Sequence, residues 1–272
     1  MEKLFHVLAP IPPRAGGNAF VCTIGKKHCC FAVTDTSGKL LFELAYYTAD
    51  EINGIFLNKL PELHPELNQP FQKVLVSYDH SRISIIPARQ FRKENASIIL
   101  NTLHGIDCST IELSGYISES EMNIIYGVPR EVHSWMFAKF PNAIYSHVYK
   151  SVIKTISKND SAGCIRIDFC ENQFCVIASK NNQLLLTQTF SYSTPDDVMY
   201  YLLKICQQFS LSPLEIPLVV SGLIEKQSAL FHELYQYFIH VQFKNSEWIV
   251  HEDNEYPLHF FTVLNEIIQC ES

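Results

Sequence analysis

Short apolar runs separated by polar turns occur near the start of the chain and again past its midpoint. Residues 20–47 hold three such runs, divided by Lys26-Lys27-His28 and by Thr36-Ser37-Gly38. Runs rich in β-branched and aromatic residues, each bounded by a short polar turn, predict a three-stranded meander. Residues 164–192 repeat the layout, with Lys180-Asn181-Asn182 at the second turn, where asparagine tolerates a left-handed backbone.

Similar segments follow each meander. Thr48-Ala49-Asp50-Glu51 and Thr194-Pro195-Asp196-Asp197 each offer a hydroxyl at an N-cap and a carboxylate three residues on, so both are expected to start helices. The first helix would present Ile52, Ile55, Phe56 and Leu60 as its apolar stripe, and the second Val198, Tyr201, Leu202, Ile205 and Phe209. Each then gives way to a proline-bearing loop and a short strand ending in serine, residues 74–77 and 218–221, which stand 144 positions apart. The runs 39–42 and 183–186 stand at the same offset. Shared order and shared spacing predict a duplicated βββαβ unit: an N-terminal lobe over residues 1–158, a C-terminal lobe over 159–272, and a cleft between them of the kind that often takes a ligand.

Between the repeats, residues 82–86 read as a strand ended by Pro87, and residues 94–103 as a helix through Ile98, Ile99 and Leu103. A small α+β unit is therefore expected as an insertion at about 80–120. Residues 122–128 form another expected strand, and Pro129 opens a helix through Val132, Trp135, Met136 and Phe140. A short strand at 143–145 and a helix over 147–156 complete the first half. Residues 238–243 would finish the second sheet, and Pro257 would open a last helix apolar enough to dock.

Composition narrows the picture. The chain has 272 residues, 47% hydrophobic and 18% charged, enough for a real core and for two modest lobes. A formal net charge of -7 disfavours nucleic acid and anionic lipid. No apolar run approaches the roughly 18 residues of a membrane span, and the opening residues lead into Pro10, Pro12 and Pro13, so neither a signal peptide nor membrane insertion is expected. Nine cysteines, with Cys22, Cys29, Cys30, Cys164, Cys170 and Cys175 inside strand-like runs and without a CxxC pair, read as buried thiols in a reducing cytoplasm. The eleven histidines include no HExxH, and His232 and His240 are eight apart, so no metal is expected.

The duplicated βββαβ plan resembles the actin-like ATPase superfamily, with its ribonuclease-H-like lobes. The middle of the chain, residues 83–103 followed by the strand ending at Pro129, resembles more closely the type IV pilus M protein and the cytoplasmic domain of the type II secretion L protein. Residues 197–203, Val220-Ser221-Gly222 and the ending at 264–270 are similar to an uncharacterised Bacteroidetes family of that clan. The resemblance implies a D-x-G hairpin turn in each lobe, where bare backbone approaches phosphate and a carboxylate organises magnesium or water.

Both turns depart from that pattern. Thr23-Ile24-Gly25 keeps the glycine and lacks the acid, whereas Asp168-Phe169-Cys170 keeps the acid and lacks the glycine. Lys26, Lys27 and His28 would suit a phosphate or simply a solvated turn, and Ser221-Gly222 is what stands for the adenosine-binding turn. Thr23, Gly25, Lys26, Asp168, Cys170, Ser221 and Gly222 are thus the candidate cleft residues. No catalytic residue is assigned, and no cofactor is expected, with ATP and magnesium as the alternative. The preferred reading is a non-catalytic scaffold for an unidentified protein partner; a nucleotide-binding protein with weak or absent hydrolysis and an enzyme of unrecognised chemistry stand behind it. Arg89, Phe91 and Arg92 beside a turn of the insertion are the interface candidates, because arginine and aromatic side chains often anchor interfaces.

Overall fold

Each meander forms, and each pairs in parallel with the strand that returns after its helix. The computed structural model describes residues 1–9, 17–155, 163–249 and 256–270. Its first part runs β1 (Glu2–Leu8), β2 (Asn18–Gly25), β3 (His28–Asp35), β4 (Leu41–Thr48), α1 (Gly54–Leu63), a 3-10 turn at Pro65–Asn68, and β5 (Lys73–Asp79). Next come β6 (Ile83–Pro87), α2 (Ala96–His104), β7 (Thr110–Ile117), β8 (Met122–Pro129), α3 (Arg130–Lys139), β9 (Ile144–His147) and α4 (Val148–Lys154). The last part holds β10 (Cys164–Phe169), β11 (Gln173–Lys180), β12 (Gln183–Ser191), α5 (Pro195–Phe209), β13 (Pro217–Gly222), α6 (Ala229–Tyr237), β14 (His240–Phe243) and α7 (Thr262–Cys270).

The duplication is visible in strand order. One sheet runs β1-β4-β3-β2-β5-β9, the other β12-β11-β10-β13-β14, and apart from the additional edge strand β1 the two orders correspond strand for strand. In both, the meander is antiparallel and the two strands after it are parallel. The registers correspond too: Thr23 lies opposite Ser77, and Asp168 lies opposite Ser221. Every residue of β2 is buried, as expected of a central strand covered on both faces. In the other sheet Ile165, Ile167 and Phe169 alternate inward from β10 onto Val198, Leu202 and Ile205 of α5.

The two helix starts differ. Thr194 is the cap of α5, with its hydroxyl accepting from the Asp197 amide at 3.4 Å and the Asp197 carboxylate accepting from the Thr194 amide at 2.9 Å. Thr48 is not a cap. It is the last residue of β4, paired to Glu2 on one side and His28 on the other, and the chain runs through four more residues before Asn53 caps α1 through the Phe56 amide. The delayed start rotates the stripe: Phe56, Leu57 and Leu60 are buried, and Ile55 is 71% exposed. A similar rotation affects α2, where Ala96 and Leu100 pack on Ile125 and leave Ile98 and Leu103 exposed.

The inserted unit is a three-stranded sheet in the order β6-β8-β7 with α2 against it, so it extends to Pro129, past the expected limit near 120. Arg82 fastens it: the guanidinium donates to the Gly105 carbonyl and the Asn101 side chain, and its methylenes lie against Gly127, where a Cβ would fall 2.5 Å from Arg82 Cδ.

The chain divides into two units, Met1–Lys154 with Trp248–Asn254 and Leu264–Ser272, and Thr155–Glu247 with Glu255–Val263. Most of α7, expected with the C-terminal lobe, therefore belongs to the first unit. The reason is the β3–β4 turn: Gly38 has φ +69°, its carbonyl accepts from Asn265 and Gln269, and Ile268 covers its α-carbon. Among the described residues no helix is long and apolar enough to cross a membrane. Asn53→Ala and Thr194→Ala should each lower the unfolding free energy by about 1 kcal/mol. Urea denaturation measures the loss, and hydrogen exchange should localise it to the Phe56 and Asp197 amides respectively.

Candidate functional site

In open α/β sheets ligands gather at the carboxyl ends of the parallel strands, and the first unit places there β2, β5 and β9. A row of small hydroxyls crosses these strands in register, Thr23, Ser77 and Ser146, with the two serine oxygens 3.3 Å apart. Two residues further on, Gly25 lies opposite Asp79. The two-residue turn Lys26-Lys27 exposes both lysine side chains while both its carbonyls are used, accepting from Ile52 and Ala49 of the segment that enters α1. Thr23 is buried in β2, Gly25 ends the strand, and Lys26 is at the tip.

His28 is the residue whose role the sequence did not reveal. Its ring lies over the α-carbon of Gly25, so that a Cβ there would fall 2.3 Å from His28 Cε1. Its Nε2 lies 3.3 Å from an oxygen of Asp79. Burial pulls His28 down and pushes the Asp79 carboxyl up, each only partly offset by the other's charge, so both lean towards their neutral forms. Around them, burial, then the His28 and Lys26 charges, lower His80 to about 4. Burial takes His147 to about 3; its Nε2 donates to the His80 carbonyl at 3.0 Å and its Nδ1 accepts from the Tyr149 amide, which fixes a neutral tautomer. Asp79, His80 and His147 are brought together by strand register. The only hint in the sequence was polar residues directly after apolar strands.

In the second unit the Ser221 hydroxyl donates to the Asp168 carboxylate at 2.6 Å. Cys170 begins the tight turn after β10: its amide donates to the Gln173 carbonyl at 2.8 Å, and its own carbonyl accepts from the Tyr192 hydroxyl. Gly222 has φ +83° and passes so close to Phe169 that a Cβ would fall 2.1 Å from the Phe169 carbonyl oxygen, which instead accepts from the Leu223 amide. Backbone crossing alone accounts for this glycine. Asp168, Cys170, Ser221 and Gly222 are thus neighbours within one unit, as Thr23, Gly25 and Lys26 are within the other.

A magnesium-bound nucleotide, the group that the superfamily resemblance implies, does not fit these donors. The bare face of Gly25 is filled by His28, Thr23 supplies no charge, and Cys170 adds a side chain where backbone would have to approach phosphate. In the inserted unit, Arg89 and Arg92 are exposed, but Phe91 packs beneath the unit with Ala96, Leu100 and Ile125 and is not an exposed anchor.

Comparison with solved structures finds a Bacteroides thetaiotaomicron protein with an actin-like ATPase fold and unknown function, at a TM-score of 0.75 and 16% identity, covering 85% of this chain and 91% of that one. The PilM-PilN type IV pilus biogenesis complex matches at a TM-score of 0.62 and 11% identity, covering 94% and 98%. No curated protein matches the chain. The fold is that of the actin-like ATPases, and with its family profile matched over residues 15–241, the chain belongs to the family described as protein of unknown function DUF3822.

Proposed function

We propose that the protein is a non-catalytic actin-like platform that binds another protein. The observation that carries this reading is the imidazole of His28 seated on Gly25. The glycine that would serve a phosphate serves the packing of the protein's own side chain, and phosphoryl transfer rests on positioning and charge stabilisation at that spot. Cys170 supports the same reading from the second hairpin, as does the engagement of Asp168 with Ser221. Among the described residues, which include all nine cysteines, none is joined in a disulfide, which suits a cytoplasmic setting. The structurally similar PilM occurs in a complex with PilN, a precedent for this fold in protein binding.

The inserted unit is the proposed contact surface. Ile98, Leu103 and Ile106 are exposed along and just after α2, with Arg89 and Arg92 on the preceding turn. Exposed apolar residues beside arginines are the ordinary makings of an interface centre and rim.

Two outcomes are expected. Purified protein with magnesium-ATP should release phosphate no faster than buffer and show no thermal stabilisation; release that Asp168→Ala abolishes would instead establish an ATPase. Ile98→Glu combined with Ile106→Glu should abolish capture of the partner recovered by the unaltered chain, with the unfolding temperature unchanged because both side chains are exposed. Undiminished capture would exclude this surface.

A further inference from the structure

Away from the hairpins, the first unit gathers two imidazoles and two carboxylates at one corner. β1 pairs antiparallel with β4, His6 opposite Ala45 and Leu8 opposite Glu43. The two-residue period of a strand puts Glu43, Ala45 and Tyr47 on one face, and the Tyr47 ring meets Phe56 of α1, so this is the face the helix covers. His64 approaches Glu43 from the end of α1, where its amide closes the helix on the Leu60 carbonyl, and Glu66 follows on the 3-10 turn.

The donors converge. His6 Nε2 is 3.0 Å from Glu43 Oε1, His64 Nδ1 is 2.6 Å from that same oxygen, and His64 Nδ1 is 3.2 Å from Glu66 Oε1. The ligand atoms of His6, Glu43 and His64 all lie within 4.8 Å of one another, and both Glu43 and His64 are buried.

We propose that His6, Glu43, His64 and Glu66 form a binding site for a divalent first-row transition metal ion, with zinc the best match. Two imidazole nitrogens and two carboxylate oxygens without a thiolate suit such an ion better than a soft monovalent metal or an all-oxygen calcium site. Two carboxylates, two neutral imidazoles and a dication sum to zero charge. Without the ion, the Glu43 and Glu66 carboxyls crowd the same His64 nitrogen, at 2.6 and 3.2 Å. Tetrahedral zinc with bonds of about 2.0–2.1 Å separates its donors by roughly 3.3 Å, so small side-chain shifts admit the ion.

The surroundings agree. His64 Nε2 lies 2.6 Å from the Tyr47 hydroxyl oxygen, which accepts a hydrogen bond from Nε2–H when Nδ1 is a ligand. Glu66 lies outside the group of three and beside His64 alone, so its side chain would have to turn to supply the fourth ligand; with it the site is closed, and the ion would be structural and would tie the edge strand β1 to the corner after α1. The site is independent of the hairpin residues and of the proposed partner surface.

The test uses the full chain, stripped with chelator and then titrated with Co²⁺ and Zn²⁺. One Co²⁺ per chain should bind with tetrahedral absorption, Zn²⁺ should displace it, and Zn²⁺ should raise the unfolding temperature. His6→Gln, on the half-exposed edge, and Glu66→Gln should each weaken binding by about tenfold or more and remove the thermal shift. His232→Gln with His240→Gln, both exposed positions, should change neither. Absence of the tetrahedral cobalt band in the unaltered chain overturns the proposal, as does binding that both site variants retain.

Discussion

The parallel pairing of β2 with β5 and of β10 with β13 is the constraint from which the rest of each unit follows. A parallel pair needs a crossover, and α1 and α5 provide it; a crossover helix covers a face of the central strand, and β2 is buried along its whole length. The hairpin beside each pair is then tied down in the same way in both units. The chain leaving the third strand donates a backbone amide to the hairpin tip, Ala49 to the Lys27 carbonyl in one and Tyr192 to the Asn172 carbonyl in the other. The duplicated fold thus extends to individual hydrogen bonds.

Within that shared frame the two hairpins have diverged in opposite directions. Gly25 is retained and shielded by an imidazole; Asp168 is retained and engaged by a serine. Each half of the D-x-G pattern that the resemblance implies stands where it has a local partner, in packing for Gly25 and in a hydrogen bond for Asp168. His147 points the same way: a neutral ring held by backbone groups rigidifies a strand end and offers no positive charge to an anion.

The duplication was legible because both copies kept their turn chemistry and spacing, and the cap at Thr194 because proline and two acids follow it directly. Thr48 matched the same pattern and failed, since sheet pairing on both of its sides outweighs a local helix signal. Ile55 and Ile98 were assigned to the wrong faces because a short helix with several adjacent apolar residues has more than one acceptable stripe, and the sheet beneath selects among them. β1 gave little signal: it is an edge strand, half-buried over most of its length. The partners of Gly25, and the grouping of His6 with Glu43 and His64, depend on register and on where a helix ends, across 37 and 21 residues of sequence, and no spacing rule reaches them.

The attachment of α7 to the turn at Gly38 bears on the order of synthesis. Gln269 and Gly38 are separated by 231 residues, so the β3–β4 turn leaves the ribosome long before the helix that covers it exists. Closing so large a loop is entropically costly and slow relative to local pairing. During translation the turn therefore stays uncovered while the whole of the second meander is made, and it is covered only when a segment 231 residues later in the chain returns to it.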